Sequence, residues 1–367
     1  MAGLLVGCTS PPQRAVSVAI QPMSSLADQA VRIQITGLGA GELGMGLIWS
    51  MRALKPDPAG AYYWSGPVPR AFTLAVSVHG TQAASASFQR RFSPGVVTET
   101  TDSLKADGFV GEFLRPAHTG PGRPAVLVLG GSEGGLPGAL LPGLLASNGY
   151  AALGVAYFRE PGLPQTLSGI PLEYFAQALR WLGRQPGVDP ARIAVLGISR
   201  GSEAAQLLGA YYPNLVHAVI ASVPSNVAGC SYPGCTGPAW TRHGRALPYT
   251  SEIGSPSPTD DPAAVIPDQR IAGPVFLDCG EADRTWPSCR YARAIISLLN
   301  AHHDHWAHVL YAYPGAGHPV GTFVPYEPYS LAAMAGDPGY ATDQRALALL
   351  WPQLLSFLAG LAGHPTG

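Results

Sequence analysis

The chain has 367 residues, with 22 Lys and Arg against 23 Asp and Glu, a formal net charge of −1 and only 12% charged residues. So few cations exclude binding through attraction to a phosphate backbone, and with it nucleic acid as a partner. A hydrophobic content of 47% is the reverse of the disorder signature, and the length suits one large domain or two unequal ones.

Residues 1–14 read as a tail. Within it, Leu5-Val6-Gly7-Cys8 has the form of a lipobox, which would place a lipid on Cys8 and anchor the chain outside the cytoplasm. A basic leader and an apolar run of about 7–15 residues are missing, so a short tail with a chance cysteine stands beside that reading, and a cytoplasmic location beside the anchored one. Lipidation of Cys8 is the only membrane contact expected.

From 15 to 113 the pattern is β-like. Val16-Ser-Val-Ala-Ile, Val31-Arg-Ile-Gln-Ile and Ala71-Phe-Thr-Leu-Ala-Val-Ser-Val alternate apolar and polar residues between Gly and Pro clusters. This predicts a small β-sandwich domain. Residues 114–123 are rich in turn formers and read as a linker.

After the linker the period changes. Apolar strands at Ala125–Leu129, Ala151–Tyr157, Ile193–Leu196, Val216–Ser222, Val275–Cys279 and Val309–Tyr313 alternate with helical stretches such as Leu172, Phe175, Ala176, Leu179 and Leu182. Strand–helix alternation predicts an α/β domain over 124–367 with a parallel sheet covered on both faces. The uncharged stretch between Glu133 and Arg159 is long enough to span a bilayer. Pro137, Pro142, Gly143, Asn148 and Gly149 interrupt it, so a short helix and a buried strand are expected instead. Residues 224–272, rich in Pro, Gly and Ser, read as an inserted cap or long loop over the sheet.

Gly197-Ile-Ser199-Arg-Gly201 is a G-x-S-x-G motif between an apolar strand and a helical run. A sharp strand-to-helix turn there lifts the serine hydroxyl above the sheet, which predicts an α/β-hydrolase nucleophile elbow. A serine needs a base, and in this fold the acid and histidine follow it in the chain. His318, in Tyr313-Pro-Gly-Ala-Gly-His, stands just past the last strong strand. Among the carboxylates after Val275, Asp278 lies within the strand, while Glu281 and Asp283 lie beyond it; Asp283 is the choice. The glycine run Gly130-Gly-Ser132-Glu-Gly-Gly predicts an oxyanion hole from the amides of Ser132 and Arg200. A phosphate loop is the competing reading, and no G-K-[ST] follows.

Cys230 and Cys235, and Cys279 and Cys289, form two locally spaced pairs. They read as disulfides in an exported protein and free thiols in the cytosol. His302-His-Asp-His305 with His308 suggests adventitious metal affinity at a surface turn. No cofactor and no metal are expected.

Six segments together carry a family resemblance: Gly130-Gly-Ser-Glu-Gly-Gly-Leu, Ala156-Tyr-Phe-Arg, Leu172-Glu-Tyr-Phe, Gly197-Ile-Ser-Arg-Gly-Ser-Glu203, Gly280-Glu-Ala-Asp-Arg-Thr-Trp-Pro-Ser and Tyr313-Pro-Gly-Ala-Gly-His-Pro. From about Arg123 to Tyr329 the chain resembles the acyl-CoA thioesterase / bile acid-CoA:amino acid N-acyltransferase (BAAT) family. Ser24-Ser-Leu-Ala-Asp-Gln-Ala-Val-Arg-Ile and Gly44-Met-Gly-Leu-Ile-Trp-Ser-Met resemble its β-sandwich domain, here with fewer strands between the two motifs. The resemblance implies a triad of Ser199, Asp283 and His318. It also implies a small-molecule acyl thioester or ester substrate, cleaved through an acyl-enzyme. The family's amino-acid conjugating members resemble thiol enzymes, so a serine favours hydrolysis over N-acyl transfer. If Cys8 is lipidated, an exported carboxylesterase acting on other esters becomes the better reading. Arg242 and Arg245 are candidates to meet CoA phosphates, or are merely solvated.

Overall fold

The structure, a computed structural model, describes residues 15–37, 70–78, 81–91, 96–101, 106–117, 122–138, 140–252, 262–302, 305–325 and 339–363. The Cys8 tail, the second β-sandwich motif (44–51) and part of the predicted inserted segment (253–261) lie outside the described residues.

The chain begins with β1 (Ser17–Gln21), β2 (Ser24–Leu26), β3 (Arg32–Thr36), β4 (Arg70–Val78) and β5 (Thr81–Arg91). β1 pairs antiparallel with β3, while β5 lies between β2 and β4 in a second sheet. A small core of Ile20, Leu74 and Phe88 holds the two together, which fits the expected small sandwich. β5 (TQAASASFQRR) alternates small apolar and polar residues from Ala84 to Gln89, turning Ala84, Ala86 and Phe88 inward, and its register against β4 places Phe72 opposite Phe88.

Next come β6 (Val97–Thr101), β7 (Val110–Arg115), β8 (Arg123–Leu129), α1 (Leu140–Ser147), β9 (Ala151–Ala156), β10 (Ile170–Pro171), α2 (Leu172–Leu182), β11 (Val188–Ile198) and α3 (Arg200–Tyr211). They are followed by β12 (Ala218–Ser222), β13 (Trp240–Arg242), β14 (Arg245–Ala246), β15 (Val275–Gly280), α4 (Ser288–Ala301), β16 (Val309–Tyr313) and α5 (Tyr340–Gly363). Among the described residues one sheet runs in the order β16-β15-β12-β11-β8-β9-β7-β6. All its pairings are parallel except β9 with β7 and β7 with β6.

This corrects the expected boundary. Residues 97–101 and 110–115, read as sandwich and linker, are edge strands of the large sheet. The reason is physical: a short alternating run satisfies its backbone in any sheet, and pattern alone does not say which.

The central strands are apolar throughout because both faces are covered. Leu127 and Leu129 of β8 face α2, α3 and α4, through Phe175, Leu179, Leu208 and Ile295. Val126 and Val128 face α1 and α5, through Leu144, Leu350 and Leu354. The stretch 134–158 thus supplies α1 and β9, and among the described residues no helix is long and apolar enough to cross a membrane. The N-terminal strands are fastened to this body: Asp28 Oδ2 accepts from Asn148 Nδ2 at 2.7 Å and from the Trp351 indole N–H at 3.0 Å.

From β8 the sheet grows to one side through β9 and to the other through β11. At such a reversal of strand order a crevice opens beyond the strand C-termini, where α/β sheets bind ligands.

Candidate active site

β11 ends at Ile198, and α3 starts two residues later at Arg200. The residue between them, Ser199, is held at φ 54°, ψ −120°, a conformation a side chain rarely adopts. The turn is tight enough that a Cβ at position 197 would fall 2.0 Å from the Gly201 carbonyl oxygen. Only glycine fits there. Ser199 N–H donates to Ser222 O at 3.1 Å, fixing the elbow on β12.

The sequence-predicted partners converge on it. His318 opens the turn after β16, and its Nε2 lies 2.9 Å from Ser199 Oγ. Its Nδ1 lies 2.8 Å from Asp283 Oδ2. Asp283 stands on the loop after β15, and its side chain is 1% exposed. Ser288 Oγ donates to its Oδ2 at 2.6 Å, and Thr285 N–H to its Oδ1 at 2.9 Å. The Trp286 ring stands edge-on to the imidazole, with centroids 5.5 Å apart, and its N–H donates to Val223 O. This chain of hydrogen bonds can draw the serine proton onto His318 and hold the resulting imidazolium beside a buried carboxylate.

The other two carboxylates point elsewhere. Glu281 is ion-paired with Arg293 at the surface. Asp278, within β15, is fully buried beside Ser222 of β12, whose Oγ donates to it at 2.7 Å, and burial pushes its pKa well above the ordinary value.

Ser132 lies in the loop after β8, against the elbow: a Cβ on Gly131 would sit 3.1 Å from Ser199 Cβ. The Gly131 amide is already used, donating to Glu133 Oε1 at 2.7 Å. Arg200 is the first residue of α3, so its N–H has no acceptor within the helix and points toward the helix N-terminus. Its side chain turns away and is buried. The guanidinium Nε sits 2.7 Å from Glu203 Oε1, and Nη2 donates to Cys230 O at 2.8 Å. Glu203, fully buried, also accepts from Gly229 N–H and the Trp240 indole at 3.0 and 2.8 Å. Burial raises its pKa against the downward pull of Arg200.

Sequence reading missed Glu203, Ser288 and Trp286 as supports. Glu203 four residues after the serine on a helix was the available signal; nothing local pointed to Ser288. Both cysteine pairs are bridged, Cys230 to Cys235 and Cys279 to Cys289. Arg242 stacks over Tyr211 at the far end of α3, with 4.6 Å to the ring centroid, away from Ser199. In the histidine run, residues 303 and 304 lie outside the described residues. Among those described, no three His, Cys, Asp or Glu side chains are arranged to hold a metal ion.

Fold and elbow together define an α/β-hydrolase. The family described as BAAT / Acyl-CoA thioester hydrolase C terminal matches residues 170–233 and 240–358. The chain is 29% identical to human acyl-coenzyme A thioesterase 1 over 290 residues, covering 74% of this chain and 67% of that protein. It is also 29% identical to mouse acyl-coenzyme A thioesterase 3 over 344 residues, 85% of this chain and 76% of that one. With human mitochondrial acyl-coenzyme A thioesterase 2 the match spans 56% of the relative. A solved dienelactone hydrolase-like promiscuous phosphotriesterase from metagenomic libraries is similar at 19% identity and a TM-score of 0.49, covering 73% of this chain and 99% of that one. The chain belongs to the acyl-CoA thioesterase / BAAT family and is an enzyme of the thioesterase-like hydrolase type.

Proposed function

We propose that the protein hydrolyses acyl-CoA thioesters through an acyl-enzyme on Ser199. The observation that carries this reading is the unbroken chain Ser199 Oγ–His318–Asp283, at 2.9 and 2.8 Å, built on an elbow.

Ser199 Oγ attacks the thioester carbonyl while His318 Nε2 takes its proton. The carbonyl oxygen becomes an oxyanion between the amides of Ser132 and Arg200. On its collapse the C–S bond breaks, and His318 returns the proton to the departing thiolate. Water then attacks the Ser199 ester while His318 takes one of its protons; the bond from the acyl carbon to Oγ breaks, His318 returns that proton to Ser199 Oγ, and the carboxylic acid leaves. Asp283 keeps His318 in the tautomer with Nδ1–H toward the carboxylate and stabilises its cation. An oxygen ester on Ser199 is a poorer acyl donor to amines than a thioester on cysteine, which favours water over an amino acid as acceptor.

Both cysteine pairs are bridged, and disulfides persist mainly outside the reducing cytosol, whereas CoA thioesters are intracellular. An exported esterase using the same residues on oxygen esters is therefore the alternative.

Steady-state turnover of palmitoyl-CoA and of p-nitrophenyl palmitate, with and without glycine, tests the choice. The thioesterase reading expects the higher kcat/KM on palmitoyl-CoA and free acid as the sole product. A preference for the oxygen ester selects the second reading, and palmitoyl-glycine would overturn hydrolysis. In Ser199→Ala either activity should fall by about 10⁶-fold.

A further inference from the structure

Tyr157 follows β9 directly, is 2% exposed, and takes no part in the proton relay. Its hydroxyl points at the loop after β8, 2.6 Å from Gly130 O and 3.2 Å from Gly131 O. One phenolic proton is shared between two carbonyls. The ring is fixed by Phe158, Phe175 and Trp240, with centroids 5.2, 5.3 and 5.8 Å away. Burial drives the phenol pKa well above its ordinary value, so the group remains a donor.

The consequence follows from peptide geometry. The Gly131 carbonyl and the Ser132 N–H belong to one planar trans unit and point in opposite directions. Holding the carbonyl therefore aims the amide. Likewise, holding the Gly130 carbonyl orients the Gly131 N–H, which meets Glu133 Oε1. A loop of Gly130, Gly131, Gly134 and Gly135 has little conformational preference of its own, so an external clamp has something to do.

We propose that Tyr157 is a positioning residue for oxyanion stabilisation: its hydroxyl, by gripping the Gly131 carbonyl, holds the Ser132 amide toward the carbonyl oxygen of the substrate. This rests on Ser199 being the nucleophile. Trp240, packed on the Tyr157 ring and bonded to Glu203, ties the same cage to Arg200, the residue supplying the other amide.

The test is Tyr157→Phe in the full chain, which keeps the ring and removes one hydroxyl. Four quantities are read: kcat, KM, the affinity of an acyl trifluoromethyl ketone that forms a tetrahedral adduct, and the affinity of an unreactive acyl thioether of equal length. The expected result is a kcat loss of about 10–100-fold, smaller than deleting a donor outright. KM and thioether affinity should stay within about twofold, and ketone affinity should fall in step with kcat. Introducing 3-fluorotyrosine at 157, which retains the hydroxyl, should restore kcat.

Unchanged ketone affinity in Tyr157→Phe would overturn the proposal, as would an equal loss of thioether affinity. If Tyr157→Phe fails to fold, failure of the fluorotyrosine protein to keep wild-type kcat and ketone affinity does the same. If the wild-type enzyme forms no ketone adduct on Ser199 by ¹⁹F NMR, the nucleophile reading itself has failed, a separable outcome.

Discussion

A Cβ on Gly201 would sit 2.3 Å from the carbonyl oxygen of Gly130, so the helix that follows the serine and the loop that carries Ser132 touch backbone to backbone. That contact sets the width of the space between the two amides assigned to the oxyanion. Gly201→Ala must push the loop back. We expect a stability loss of about 1–3 kcal/mol, typical of overpacking, and a kcat loss of at least about 100-fold. Thermal denaturation and steady-state kinetics measure the two; a variant with wild-type kcat would contradict the contact.

Asp283 Oδ2 is shared between His318 Nδ1 and Ser288 Oγ. Replacing the acid by its amide, Asp283→Asn, puts an N–H donor where His318 needs an acceptor. We expect kcat to fall by about 10⁴-fold with little change in KM. Ser288→Ala removes one charge-assisted bond and leaves the other, so a loss of about tenfold is expected. Equal effects from the two substitutions would show that the carboxylate is not the group His318 depends on.

The bridge from Cys279 to Cys289 encloses the loop that holds Asp283. Both cysteines are buried, at 0% and 4% exposure. Cys279→Ala with Cys289→Ala frees both ends of that loop, and closing a loop this short contributes about 2–3 kcal/mol in the chain-entropy account. The doubly substituted protein should show a lower Tm and a lower kcat. The pair Cys230→Ala with Cys235→Ala, away from the acid loop, should lower Tm with a smaller effect on kcat. Equal kcat losses in the two proteins would count against the loop's special role.

Asp278 gives a pH-dependent test. Its folded-state pKa lies well above the ordinary 3.8 because burial disfavours the charge. Above that pH the unfolded chain sheds the proton while the folded chain keeps it, so the folded state binds more protons and stability falls as pH rises. Asp278→Asn lacks this titration. The Tm of the variant minus that of the wild type should therefore increase between pH 4 and pH 8. A difference independent of pH would mean that Asp278 is not a buried neutral acid.

What could be read from the chain in advance was local. Gly197, Ser199 and Gly201 announce an elbow because strand, glycines and helix lie within a dozen residues, and His318 and Asp283 each follow an apolar strand. The placement of β6 and β7 was not legible, since their short runs carry no signal of which sheet they join. Nor was the Arg200–Glu203–Trp240 cluster. Its partners come from α3 and the inserted segment, and only folding brings a buried carboxylate to an indole 37 residues away. Tyr157 was visible as part of a family-like segment, but its grip on Gly130 and Gly131 depends on β8 and β9 lying side by side.

Covalent labelling is the sharpest test of Ser199 as the nucleophile. The wild-type protein is treated with a fluorophosphonate, digested and sequenced by tandem mass spectrometry, with His318→Ala as the control. One adduct per chain is expected, on Ser199, appearing in step with loss of hydrolysis and formed far more slowly in His318→Ala. Full loss of activity with Ser199 unmodified, or an adduct on another residue, would contradict that role.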